Sequence, residues 1–344
     1  MRIYRKKGAP GTRYGGPLAL MLVLGGFSGC LAQPSYGTDQ LTLTKTIPLP
    51  EVKGRIDHLD VNLKEGVVYV AALGNNTLEA VDLVAGQVVH SVHGLDEPQG
   101  VGYIPQTGEV VVANAGTGDC YFYNAHTWEK VATIRLGSDA DDVRVDSAEG
   151  RVYVGYGSGG IAVIDAVTHQ QVGDIKLPAH PESFQLDKGL QRLFVNLPDA
   201  HLVGAVDPGQ STLVAKWTND KASANFPMAL DADRHRVLVG YRHPARLVVY
   251  EGRTGKELSS CEMTGDADDL YYDAASGKIF VSGGAGAVSI FQASGDGSYK
   301  QTANIPTRGG ARTSLLIPEL RTLVVAARAA AGQPAGLLVY TLRK

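Results

Sequence analysis

The 344-residue chain is poor in the residues that usually announce chemistry. It has three cysteines, two tryptophans, four methionines and 7% aromatic residues. No Cys-x-x-Cys-His occurs, so no covalent haem is indicated. There is no Gly-x-Ser-x-Gly elbow, Walker A loop, dinucleotide fingerprint or His-Glu-x-x-His helix, which sets aside several common enzyme designs. The Gly-rich stretches 157–160 and 283–286 lie between strand patterns, not ahead of a helix, so they are not phosphate cradles. Past the N-terminus no apolar run approaches the ~20 residues that a membrane-spanning helix needs.

The N-terminus reads differently. Arg2, Arg5, Lys6, Lys7 and Arg13 make a basic leader without an acid, followed by a short apolar run over 18–27 and then Phe27-Ser28-Gly29-Cys30. A basic region, a short apolar core and small residues define an export signal. Ser-Gly-Cys resembles the lipobox of bacterial lipoproteins, whose cysteine is acylated and becomes the mature N-terminus. Phe27 departs from the small aliphatic residue usual in that motif, and cleavage after Ala32 to a soluble protein is the rival reading. The expectation is a signal peptide over 1–30 lipidated at Cys30, a tether over 31–40 and one domain over 41–344. The protein is then exported, as a periplasmic or outer-membrane lipoprotein that meets the membrane only through its lipid.

Removing the leader takes away five of the 32 basic residues and none of the 35 acids, leaving 27 against 35 and a net charge of −8. That surface does not suit generic nucleic-acid binding. Cys120 and Cys261 fall in repeats that are not neighbours in a ring. A disulfide needs Cα atoms within about 7 Å, so the two are expected to stay unpaired.

Seven short apolar runs recur along the chain. With Val70, Val112, Val154, Val195, Val239, Val281 and Val325 as markers, the intervals are 42, 42, 41, 44, 42 and 44. The runs are rich in Val, Ile, Tyr and Phe and bounded by Gly, Asn and Asp, as buried strands are. The first repeat divides into strands A to D at 59–61, 67–71, 78–82 and 87–92, with turns at Lys64-Glu65-Gly66, Gly74-Asn75-Asn76 and Ala85-Gly86. Four strands per 40–45 residues predict an all-β fold, a seven-bladed β-propeller. The last repeat stops after its third strand, 337–342, and segment 41–49 reads as the missing fourth. The N-terminal strand should therefore complete the last blade and close the ring.

Val68-Tyr69-Val70-Ala71, Gly74-Asn75-Asn76-Thr77 and Val81-Asp82 resemble the YVTN-type propeller repeat, and Ala162-Val163-Ile164-Asp165 with Thr168 repeats the pattern. The resemblance is to the YncE-like bacterial exported propellers and covers about residues 41–344. The residue ending strand C is Asp207, Glu251, Gln292 and Thr341 in the fourth to seventh repeats. Trp128 and Trp217 fit no Trp-Asp repeat, which disfavours the WD40 class. The resemblance implies fold and export but no single activity, because propellers host many.

In such a fold the D-to-A connections gather at one mouth of the central channel. The residues just before strand A form a column: Asp57, Gln99, Asp141, Glu182, Phe226, Asp268 and Arg312. The next column holds His58, Asp142, Ser183 and Asp269, and two positions before the first column stand Arg55, Asp139, His180 and Asp266. Carboxylates gathered at one mouth repel unless a cation lies among them. Ca²⁺ held by Asp142, Glu182 and Asp269 is one solution. Arg312, with Arg55 or Arg308, is another, leaving a pocket for a small ligand. A third reading takes these acids as solvated turn residues, since Asp favours turns. The near-repeat of Asp139-Ala140-Asp141-Asp142 as Asp266-Ala267-Asp268-Asp269 argues against it. Blades three apart stand roughly 150° around the ring, so these segments should face one another and need a bridge.

The candidate pocket is thus Asp57, His58, Gln99, Asp141, Asp142, His180, Glu182, Asp268, Asp269 and Arg312. His201, His243, Arg242 and Arg246 fall in B–C loops and suggest a rim. Asp82, Asp165 and Asp207 are expected to cap turns after strand C. Two functions stay open. One is a monomeric scaffold binding a small molecule or an envelope protein. The other is a metal-dependent hydrolase or lyase, by fold-level likeness to gluconolactonase-type propellers, with His58 or Asp57 as base. The paired histidines of the virginiamycin lyase type are not matched.

The processing reading has a direct check. A fatty-acid probe should label the wild-type precursor in an exporting bacterium and not Cys30→Ala. Equal absence of label would leave the soluble exported form.

Overall fold

The computed structural model describes residues 40–294, 298–330 and 332–343. The leader, the tether up to residue 39 and Cys30 lie outside them. The described chain forms seven four-stranded antiparallel sheets, one per repeat. In the first blade strands A to D are Leu59–Asn62, Val67–Ala72, Thr77–Asp82 and Gln87–His93. Each later blade repeats that order, so the protein is a seven-bladed β-propeller.

The packing follows from the period of two along each strand. In Val67–Ala72, Val68 and Val70 face the seam with the seventh blade, while Tyr69 faces the seam with the second. The buried apolar residues fall into seven clusters, one for each pair of neighbouring blades. Both faces of every sheet are therefore dry, which is why the B strands read as continuous apolar runs. The outer strands alternate instead, as in Gln87–His93, because one edge meets solvent.

Ring closure is made as the sequence predicts. Leu41–Leu49 pairs antiparallel with Ala335–Leu342, from Leu41 opposite Leu342 to Leu49 opposite Ala335. Ile47 and Leu49 are fully buried between the seventh and first blades. Lys45 Nζ crosses the same seam to the carbonyls of Leu83 and Val84, at 2.9 Å each. Cys120 and Cys261 are free thiols, and Cys120 is buried. The strand-C aspartates act as turn caps: Asp82, Asp165 and Asp207 accept backbone N–H groups two or three residues on.

One part of the expected layout changes. Gln99, Phe226 and Asp268 do not precede strand A. They lie inside the longer strands Pro98–Ile104, Ser223–Asp231 and Ala267–Asp273. Each sits where the pairing register skips, between Pro98 and Val101, Asn225 and Met228, or Ala267 and Asp269. A bulge of this kind leaves a residue out of the ladder and re-aims its side chain. The sequence showed only the common column, because a bulge leaves no mark in residue type.

Closure gives a stability test. Ile47→Ala removes a fully buried side chain from the closing seam and should cost about 3 kcal/mol in urea unfolding. The exposed Thr46→Ala on the same strand should be near neutral. Equal small effects would mean that the strand does not carry the seam.

Candidate functional site at the channel mouth

Column residues are fixed by a repeated pair of backbone hydrogen bonds. Asp57 N donates to Ala71 O (2.8 Å) and Ala71 N to His58 O (3.0 Å). Asp141 and Gly155 repeat the pair, as do Glu182 and Asn196. Two positions earlier the chain turns through the left-handed region at Glu97, Asp139, Ala224, Asp266 and Gly310, with φ from 44° to 81°. Ala224 gains nothing locally from this conformation, so the blade-to-blade crossing imposes it.

These devices bring all seven blades to one cavity of about 350 Å³. Its lining includes Arg55, Asp57, His58, Gln99, Asp139, Asp141, His180, Glu182, Asp199, Phe226, Arg242, Asp268 and Arg312. Eight of the ten candidate residues are among them. Asp142 and Asp269 are not. Asp269 faces a second cavity of about 460 Å³ along the inner strands, together with Asp60, Arg144, Ser183 and Tyr271. His58 borders both cavities. The proposed metal set of Asp142, Glu182 and Asp269 is thus divided. Among the described residues no group of three or more His, Cys, Asp or Glu is placed to hold a metal ion.

Each of the two Asp-Ala-Asp-Asp segments meets its own protein cations. Arg144 pairs with Asp142 and reaches Ser183 Oγ at 3.2 Å. His58 lies with Nδ1 3.5 Å from Asp269 and Nε2 3.8 Å from Asp57. Asp269 also accepts Ser314 N at 2.7 Å. On the mouth side Arg312 Nε meets Asp268 at 2.7 Å and its Nη1 meets Asp266 at 3.2 Å. Arg55 is 2.7 Å from Asp57, whereas Arg308 turns away to the Pro334 carbonyl.

Arg242, which the sequence suggests for a rim, is central. It pairs with Asp268, donates from Nε to Ala267 O at 2.8 Å, and lies 3.6 Å above the Phe226 ring. Arg144 and Asp199 are site residues that sequence reasoning missed, and the sequence places Arg242 only on the rim. Arg144 and Asp199 stand two residues from a recognised column or rim residue, but nothing in the spacing says which way they point.

Burial governs the protonation of this cluster. It pushes the Glu182 carboxyl up to about 8, with Asp141 and Asp268 adding to the rise and His180 and Arg242 opposing it. Asp57 is raised by burial to about 7 despite His58 and Arg55. Burial would lower His180, but Asp141, the Gly157 carbonyl and Asp139 outweigh it and hold the imidazole up at about 9. His180 Nδ1 donates to Gly157 O at 2.6 Å, which fixes the ring. For His58, burial is outweighed by Asp269, Asp57 and Asp142, so its pKa stands well above the usual value. Asp142 is raised by burial against the pull of Arg144. Asp141 Oδ1 and Asp142 Oδ2 are buried without a hydrogen-bond partner.

No family model matches the chain, and no curated protein matches it. Solved structures do. A chain of the mitotic checkpoint complex is 16% identical with a TM-score of 0.74, over 98% of this chain and 99% of that one. A Kuenenia stuttgartiensis hydrazine synthase chain is 15% identical with a TM-score of 0.71, over 83% and 94%. The WD40 repeats of RRP9 are 9% identical with a TM-score of 0.73, over 90% and 99%. At such identities the likeness is one of fold, and the class it defines is the β-propeller.

Stability should therefore fall with rising pH. Glu182 holds its proton to about 8 against an ordinary 4.5, and His180 to about 9 against 6.5. Between pH 6.5 and 8 the folded state binds more protons than the unfolded one at both sites, and stability drops as they leave. Melting temperature should decline from pH 6.5 to 9, and Glu182→Gln should flatten the lower half of that decline. A level wild-type profile would contradict this electrostatic picture.

Proposed function

We propose that the protein is an exported YVTN-type propeller, anchored through Cys30, which serves as a binding scaffold for a small polar ligand at the channel mouth. The observation that carries this reading is the 350 Å³ cavity to which every blade contributes a polar or aromatic side chain. Its volume falls within the roughly 300–1,000 Å³ usual for small-molecule sites. Perturbed carboxyl and imidazole groups in a cleft also favour a functional site over solvated turns. The hydrolytic alternative relies on Asp142, Glu182 and Asp269 acting on one metal. Glu182 lines the mouth, Asp269 lines the second cavity and Asp142 lines neither, so the geometry supports binding better.

A thermal-shift screen of the full chain against amines, carboxylates, sugars, phosphates, Ca²⁺ and Mg²⁺ tests this reading. A true ligand at a hundredfold excess over its dissociation constant stabilises by about 2.7 kcal/mol. Asp141→Asn should abolish the shift. Stabilisation by Ca²⁺ alone, lost in Asp142→Asn with Asp269→Asn, would favour the metal-dependent reading. A blank screen would remove the mouth as a site and turn attention to the B–C loop rim and a protein partner.

A further inference from the structure

We propose that a small pocket beside the mouth is an oxyanion seat, where Arg328, with Arg55 and Arg312, takes the carboxylate or phosphate head of the ligand. The inference rests on the binding reading above and names the charged group of its ligand.

The pocket lies where blades six, seven and one meet, between the three guanidiniums, Asp266 and Gly310. Its volume is about 90 Å³. That exceeds the ~10–15 Å³ that one water needs. It is far below the roughly 300 Å³ at which sites for whole small molecules begin. Arg55 and Arg312 also line the mouth cavity, so the two spaces adjoin. The small pocket therefore suits one charged group of a ligand whose body lies in the mouth.

Local structure brings Arg328 to this place. It follows directly on strand Thr322–Ala327. The chain then turns back through the bridge between Ala330 and Gln333, and Arg308 fastens the return by donating to Pro334 O at 2.7 Å. Gly310 leaves the room that the guanidinium fills. Its φ is 81°, and a Cβ there would stand 2.3 Å from Arg328 Nε and 2.6 Å from Cζ. Arg55 and Arg312 each have carboxylate partners, Asp57 at 2.7 Å for the first, Asp268 at 2.7 Å and Asp266 at 3.2 Å for the second. Arg328 is exposed and has no hydrogen bond or ion pair among the described residues.

Charge in the pocket is one-sided. Three guanidiniums meet one carboxylate, Asp266. Following the ion pairs outward adds Arg242, Asp57 and Asp268, which makes four guanidiniums against three carboxylates. The surplus charge is that of Arg328. Like charges in one cleft repel unless a counter-charge lies among them. A guanidinium is a planar fork of five N–H donors, and it matches carboxylate and phosphate oxygens two at a time. An oxyanion therefore supplies both the charge and the acceptors that this pocket is short of, whereas an ammonium group would meet the surplus as repulsion.

Ligand-observed NMR titrations of the full chain at pH 7 and low salt test the seat with butyrate, n-butyl phosphate, n-butanol and n-butylammonium. At least one of the two anions should bind, and the alcohol and the ammonium should not. The tighter anion tells a carboxylate head from a phosphate head. Arg328→Gln should weaken anion binding at least tenfold while the melting temperature holds, since no partner is lost. Arg328→Lys keeps the charge without the fork and should fall between the two. Raising NaCl to about 0.5 M should weaken binding to the wild type, because the group is exposed to screening. Anion binding that survives Arg328→Gln overturns the seat. So does equal binding of butanol, binding of butylammonium in place of the anions, or no binding of either anion. The mouth reading falls with it only if the broad thermal-shift screen is blank too.

Discussion

Everything in this protein depends on the seams between blades. A four-stranded sheet with two apolar faces has no stable existence alone, because burial of one face leaves the other in water. A ring solves this by giving each face a neighbour, and the seven clusters show the solution carried out at every seam. The seam between the seventh and first blades is the one the chain must close with residues from both ends. Ile47 and Leu49 supply its apolar part, and Lys45 ties it to the first blade.

The same closure creates the site. Once seven A strands line a channel, the residues that enter them are forced to one mouth, whatever their chemistry. Local geometry then decides what each presents. In blades one, three and four a backbone hydrogen-bond pair holds the column residue at the strand entrance. In blades two, five and six a bulge delivers it from within the strand. Two different backbone devices thus produce one ring of side chains.

Crowding acids at this mouth would be costly in a low-dielectric setting. The cost is offset in two ways. Arg144, Arg242, Arg312 and Arg55 each take a carboxylate partner. Glu182 and Asp57 instead move toward the neutral form under burial. The result is an uneven wall, with arginines on the carboxylates around blades five to one and His180 as the cation beside Asp139 and Asp141 of blade three. That asymmetry gives the cavity its chemical direction.

The sequence by itself determined the blade number, the four strands per blade and the closure by Leu41–Leu49. These features are written locally, in a period near 42 residues and an alternation of two, and they survive any rearrangement of polar side chains. It also located the column from Asp57 to Arg312, because register carries through repeats. It did not separate Asp142 and Asp269 from the mouth, nor bring in Arg144, and it left Arg242 on the rim. Consecutive residues on a strand point to opposite sides, and a bulge shifts that parity without changing a letter of the pattern. His58 meets Asp269 across 211 residues of chain, and Arg312 meets Asp266 and Asp268 across 46 and 44. Only the closed ring, by fixing those distances, decided which acids are paired and which stand open.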